Sequence, residues 1–173
     1  QEWRGRQRGK SLAVVRPRTT NEVSEVLHWC SANGVGIVPQ GGNTGLAAGA
    51  IPDDSGTQIL LNLCRLNAIR KVDIQSLTVT VEAGCTLHQL REVLAGQDML
   101  FPLSLGSEGT CTIGGNLATN AGGAQVVRHG NARDLCLGLE YVTASGEIVS
   151  ELGGLRKDNT GFDLRNLLIG SEG

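Results

Sequence analysis

Apolar positions along this chain fall into short runs, and the spacing within them alternates between two periods. Residues 12–17, LAVVRP, read as a short buried strand. Val23, Val26, Leu27 and Cys30 then recur three and four apart, which predicts a helix over TTNEVSEVLHWCSANG. Thr19 and Glu22 offer a capping box at its start, and Gly34 offers the stop. GIVP, at 36–39, is a second strand. Strand, helix and strand within about thirty residues imply a right-handed crossover between parallel strands. QILLNL, at 58–63, supplies a third strand.

From Asn67 the pattern changes. AIRKVD and LTVTVEAG flank a turn at Gln75-Ser76, as in an antiparallel pair with alternating faces. TLHQLREVLAGQ predicts a second capped helix, with Thr86 and Gln89 as the box, Leu87, Leu90 and Leu94 on one face, and Gly96 at its end. LCLGLEYVTASGEIVSE reads as two strands around Ala144-Ser145-Gly146. The fold class expected is α+β in two lobes: a small parallel β-α-β lobe over 1–66 and a larger, mostly antiparallel lobe with helices over 67–173. There is no internal repeat.

Composition changes the picture in one respect. Glycine occupies 25 of 173 positions, about twice its usual share. The glycines cluster in PQGGNTGL at 39–46, which follows a strand, and in PLSLGSEGTCTIGGNLATNAGG at 102–123, which matches no regular element. The first lies at a strand's carboxyl end, the ligand-binding edge of a parallel sheet. Backbone amides without intervening Cβ atoms form a concavity of donors suited to phosphate, although a structural turn has the same composition. The second adds the small polar side chains Ser107, Thr110, Thr112, Asn116, Thr119 and Asn120. With IGSEG at the end of the sequence, the clusters point to one long ligand shared by both lobes.

Other nucleotide motifs fail on spacing or position. RGRQRGKS places Gly5 one residue too near Gly9-Lys10-Ser11 for a P-loop, and no strand precedes it. GVGIVP lacks a third glycine and ends a helix where a dinucleotide fingerprint would begin one. The basic cluster Arg4, Arg6, Arg8 and Lys10 comes without aromatic or base-reading residues in a chain of net charge −2, so it reads as a solvated face and no nucleic-acid partner is expected. No apolar run is long enough for a transmembrane segment, and a soluble globular protein is expected. Cys30, Cys64, Cys85, Cys111 and Cys136 show no metal or redox spacing, so no metal site is expected. Reduced thiols and a cytoplasmic location follow.

PQGGNTGLAAGAIP, VTVEAGCTLHQL, FPLSLGSEGTCTIGGNLATNAGG, GNARDLCLGLEYVTASGE and LRKDNTGFDLRNLLIGSEG, taken in order, resemble the FAD-binding domain of FAD-linked 2-hydroxyacid dehydrogenases and oxidases. These form part of the vanillyl-alcohol oxidase superfamily, with a PCMH-type FAD-binding domain. The resemblance covers nearly the whole chain and implies non-covalently bound FAD. It matches Gln40, Gly41, Gly42, Asn43, Thr44, Gly45 and Leu46 to the pyrophosphate loop. It assigns Pro102, Leu103, Gly106, Ser107, Thr112, Gly115, Asn116, Thr119, Asn120, Ala121 and Gly122 to the walls along the cofactor, and Glu172 and Gly173 to a final contact. Ser104 stands where an aspartate is common, and His129 where the family often has tyrosine.

The resemblance further implies hydride transfer from a D-2-hydroxy acid to FAD, with the small-molecule substrate held by a C-terminal domain beyond these residues. The catalytic residues and the electron acceptor are not specified by this stretch. A non-catalytic flavin- or nucleotide-binding module, and a transferase on the same flavin fold, stand as alternatives.

Overall fold

The computed structural model describes residue 1 and residues 4–172. Strand β1 (Ala13–Val15), helix α1 (Thr20–Asn33), β2 (Ile37–Gln40) and β3 (Ile59–Asn62) follow the predicted order. β3 lies between β1 and β2 and parallel to both, with Leu60 opposite Val14 on one side and Val38 on the other. The Thr19 hydroxyl caps α1 by accepting from the Glu22 amide at 3.1 Å. The reciprocal half of the box does not form, because the Glu22 carboxylate accepts from the Arg18 amide instead, at 2.6 Å. Gly34, at φ 65°, closes the helix in the left-handed conformation that only glycine adopts without cost. Val23 of α1 packs on Leu61 and Leu66, which forms the smaller of two cores.

The larger core lies in the second half. β4 (Ile69–Asp73) and β5 (Thr78–Val81) form an antiparallel pair, and α2 (Leu87–Ala95) follows with the Thr86 hydroxyl accepting from the Gln89 amide. Leu87 and Leu90 are the largest fully buried side chains here, each contributing about 1.5–3 kcal/mol relative to exposure. They pack with Leu94, Leu103, Cys111 and Ile113.

α3 (Ile113–Ala118) rises from the stretch expected to lack regular structure. Two consecutive glycines depress helix propensity there, but contact overrides it. A Cβ on Gly114 would stand 2.7 Å from that of Ala83, so the bare backbone lets α3 lie against 83–85. Its first amides bond there too, Ile113 to the Cys85 carbonyl and Gly114 to that of Ala83, at 2.9 and 2.8 Å. α4 (Val126–His129), α5 (Ala132–Leu135) and α6 (Leu164–Leu168) were also not predicted. At one turn or little more, they have no periodicity to read.

β6 (Leu139–Val142) and β7 (Ile148–Glu151) form an antiparallel hairpin that returns to α1. Ser24 donates to the Gly146 carbonyl at 2.5 Å, and Val142 joins the core beneath α1. Glu140 of β6 accepts from Thr20 at 2.9 Å and pairs with Arg70 of β4 at 3.1 Å. Arg70 also pairs with Glu82 at 3.2 Å. No helix among the described residues is long and apolar enough to cross a membrane.

Candidate functional site

The loop leaving β2 is shaped by what a side chain would strike. A Cβ on Gly41 would fall 2.3 Å from the Thr112 hydroxyl, and one on Gly42 would fall 1.8 Å from the Thr110 carbonyl oxygen. Glycine is therefore required for the first loop to meet the second glycine-rich stretch. Gln40 closes the loop's base: its amide nitrogen donates to the Ala50 carbonyl at 2.9 Å, and its amide oxygen accepts from Asn62 at 3.2 Å. With both ends engaged, the Gln40 side chain shapes the loop. Asn43 has φ 54°, and its side-chain amide nitrogen donates to the Gln1 carbonyl at 3.0 Å. Thr44 is half-buried, whereas Gly45 and Leu46 are exposed.

Two residues outside the expected set grip this loop. Arg4 is exposed, as expected of a solvated cluster, and its guanidinium also donates to the Leu46 carbonyl at 2.8 Å. The Cys64 thiol donates to the Gly41 carbonyl at 3.4 Å. Neither contact has a local sequence signal, since the partners are 42 and 23 residues apart.

Beneath Gly41 lies a polar deficit. Thr112 and Asn116 are 3% and 4% exposed, and the Thr112 Oγ1 and Asn116 Nδ2 atoms have no hydrogen-bond partner. Thr112 occupies the N-cap of α3 without making a side-chain capping bond. Leaving a buried polar atom unpaired costs about 1–3 kcal/mol. A ligand rich in oxygen would relieve both, since each can donate. Gly115 lies on the same turn, where its Cβ would approach the Thr112 hydroxyl at 3.4 Å.

The other expected segments gather around α3. Thr119 bonds back to the Gly115 carbonyl at 3.0 Å, and Asn120, at φ 48°, turns the chain so that the Ala121 amide reaches the Asn116 carbonyl at 2.7 Å. Gly122 lies against the Asn131 side chain, 3.1 Å from where its Cβ would be. Glu172 donates its amide to the Ala118 carbonyl at 2.9 Å, while its carboxylate lies 3.2 Å from the Cβ position of Gly49. The end of the described chain thus bonds to α3 and approaches Gly49, just past the first loop. Gly173 lies outside the described residues.

Pro102, Ser104, Gly106 and Ser107 run alongside. A Cβ on Gly123 would strike the Ser104 carbonyl at 2.2 Å, which fixes this segment to the turn after α3. An open cleft of about 700 Å³ lies between them, lined by Ser104, Leu105, Gly106, Gly123 and Ala124, with the Arg91–Glu108 ion pair at its edge. Leu103 differs from its neighbours: at 3% exposure its side chain is part of the larger core, leaving only its backbone for a ligand.

Charge at this site comes from Arg4, the Arg91–Glu108 pair and Glu172. Burial pushes the Cys85 thiol up, assisted by Glu82, and burial also pushes up Cys30. Among the described residues, no three His, Cys, Asp or Glu side chains come together as a metal site. The arrangement suits an extended grip on an anionic dinucleotide: bare amides at one end, unsatisfied donors beneath, and small residues along the length.

The chain is 44% identical over 172 residues to the mitochondrial D-2-hydroxyglutarate dehydrogenase of Arabidopsis thaliana, covering 99% of this chain and 30% of that protein. It is likewise 44% identical to the mitochondrial enzyme of that name from Danio rerio, covering 99% of this chain and 32% of the relative. It therefore spans about a third of the length of these relatives. Among solved structures, an alkyldihydroxyacetonephosphate synthase superposes with a TM-score of 0.80 at 25% identity, over 92% of this chain and 29% of that one. The cytoplasmic location expected from the thiols is overturned by the mitochondrial relatives. Free cysteines report a reducing environment, and the cytosol is only one such place. The FAD binding domain model matches residues 11–151, and the chain belongs to that family.

Proposed function

We propose that these residues form the FAD-holding part of a flavin-dependent dehydrogenase acting on a D-2-hydroxy acid, with the FAD held non-covalently. The observation that carries the cofactor grip is the pair of buried, unpartnered donors, Thr112 Oγ1 and Asn116 Nδ2, under a loop that tolerates no Cβ at Gly41 or Gly42. Amides of Gly41, Gly42, Asn43 and Thr44 would hold the pyrophosphate. Charge-assisted bonds of this kind contribute roughly 1.5–3 kcal/mol each, so a few retain a dinucleotide without lysine or arginine. Pro102–Ser107, Thr119–Gly122 and Glu172 would line the remainder.

Bound FAD would supply the two-electron acceptor for hydride from the substrate's α-carbon. The contribution of this chain is grip, orientation and exclusion of water. The substrate carboxylate would be clamped by residues outside these 173, since the relatives are about three times as long. The 44% identity to D-2-hydroxyglutarate dehydrogenases supports the hydroxy-acid reading over the transferase reading, which the synthase's fold likeness favours at 25% identity. A non-covalent link is supported by Gln40–Leu46, which contains neither histidine nor cysteine.

A chimera tests this directly. This chain replaces the matched stretch of the Arabidopsis thaliana enzyme, and the product is assayed anaerobically for flavin bleaching. Saturable reduction by D-2-hydroxyglutarate or D-lactate, with yellow colour released on acid precipitation, is expected. A folded chimera that holds no FAD would sink the proposal, as would one reduced only by L-enantiomers. Colour that stays with the denatured pellet would overturn the non-covalent link.

A further inference from the structure

We propose that Arg133 is a positioning residue that locks the last cofactor-facing segment, Gly170–Glu172, onto the turn that follows α3. The inference rests on the cofactor reading above, to which it adds a residue outside the expected cofactor-binding set.

Three strands of chain converge on this arginine. Its backbone amide donates to the Asn120 side-chain oxygen at 3.0 Å, holding Asn120 in its left-handed conformation at φ 48°. Its neighbour Ala132 donates to the Ala121 carbonyl at 2.9 Å. Its guanidinium reaches the other way: one terminal nitrogen donates to the Asn166 carbonyl and the other to the Ile169 carbonyl. These oxygens lie at the C-terminal end of α6, where a cation and donors are both favourable. No carboxylate among the described residues forms an ion pair with Arg133. Its planar fork is engaged by the two carbonyls and by the Asn166 side-chain oxygen at 3.4 Å.

Gly170 shows how tightly the junction closes. It has φ +85°, and a Cβ there would stand 3.2 Å from an Arg133 nitrogen and 3.3 Å from the Asn120 Cβ. Its amide continues to the Leu117 carbonyl at 3.0 Å, and the Glu172 amide to that of Ala118 at 2.9 Å. One guanidinium therefore sets the distance between Thr119–Gly122 and Gly170–Glu172, two stretches separated by nearly fifty residues that must present one wall. The Glu172 carboxylate also lies 3.2 Å from the Cβ position of Gly49, three residues beyond the first glycine loop. FAD binding and the ordering of 164–172 are thereby coupled.

The test combines amide hydrogen exchange with FAD titration. In the parent protein, FAD should slow exchange of the 169–172 amides at least tenfold. Absence of that protection in a protein that binds FAD overturns the coupling. Arg133→Lys keeps the charge but loses the fork. It should accelerate exchange at 164–172 in the FAD-free protein and raise the FAD Kd tenfold or more. Exchange across α2 and the larger core should stay unchanged, a pattern that general destabilisation would not produce. Faster exchange with unchanged Kd would overturn the positioning role, as would unchanged exchange. Gly170→Ala approaches the same junction from the other side and should reproduce both effects, and a Gly170→Ala protein with parental exchange and Kd counts against the lock. If the parent protein binds no FAD, the cofactor reading fails, while the FAD-free exchange of Arg133→Lys still reports on the lock itself.

Discussion

Gly42→Ala adds one methyl at the closest approach between the two glycine-rich stretches. The ideal Cβ would sit 1.8 Å from the Thr110 carbonyl oxygen, 2.7 Å from its carbon and 3.2 Å from the Cys111 Cα. Since such contacts are essentially never shorter than 3.0 Å, the two backbones must part by about 1.2 Å at this point. Backbone atoms cannot rotate away as a side-chain tip can. Overpacking of this severity costs about 1–3 kcal/mol. Parting the stretches also moves Gly41 away from the Thr112 hydroxyl, so the cost falls on the arrangement that receives the cofactor. Such a penalty corresponds to roughly a 5- to 150-fold loss of FAD affinity. Calorimetric titration with FAD, beside a thermal melt, measures it. Gly153→Ala is the control, since nothing lies within 4 Å of its Cβ position. A Gly42→Ala protein that melts like the parent and binds FAD within twofold of it would refute the steric argument and the phosphate role together.

Thr112→Val should show opposite signs in two assays. Removing an unpaired buried hydroxyl leaves the FAD-free protein as stable as the parent or more so, by up to about 1–3 kcal/mol, while FAD affinity drops; a thermal melt and a FAD titration check it, and unchanged affinity would show that the hydroxyl serves no ligand. Glu140 should make the protein acid-sensitive. Burial raises its pKa, but bonds from Thr20 and Arg70, the Arg70 charge and the Ser150 hydroxyl outweigh this and hold the carboxyl below its ordinary 4.5. Its contribution is therefore complete above about pH 4.5 and is lost as pH falls through the lowered folded value, so Glu140→Gln should flatten the decline in urea stability below that point. Equal acid slopes for the two proteins would remove Glu140 from the account.

The parallel unit was legible because its signals are local and mutually consistent: Thr19 caps, Val23 to Cys30 repeat at helical spacing, and Gly34 stops the helix. The order of elements through β5 and α2 was readable for the same reason. α3 was not, since its glycines argue against a helix and only contact with Ala83 explains them. At the candidate site, the residue types at Gly41, Gly42, Thr112 and Asn116 were visible in sequence, but their meeting was not. Nothing in the string indicates that Gly41 covers Thr112, 71 positions away, or that the Gln40 side chain is occupied by Ala50 and Asn62. Arg4 is exposed, as a charge run usually is, but its bond to Leu46 is brought about by the fold alone.

The hairpin of β6 and β7 has a consequence for the order of assembly. Its contacts with α1 join Thr20 to Glu140 and Ser24 to Gly146, spans of 120 and 122 residues. As the chain leaves the ribosome, α1 is complete long before its cover exists, and the face around Val23 and Leu27 waits for Val142. Lengthening a closed loop adds little to its equilibrium cost, but contacts so distant slow the search for them. The first parallel unit should consequently stay open to proteases and chaperones until residue 151 has emerged. Pulse proteolysis of ribosome-bound chains of increasing length should show protection of the α1 region in one late step, and early protection at about seventy residues would contradict this order.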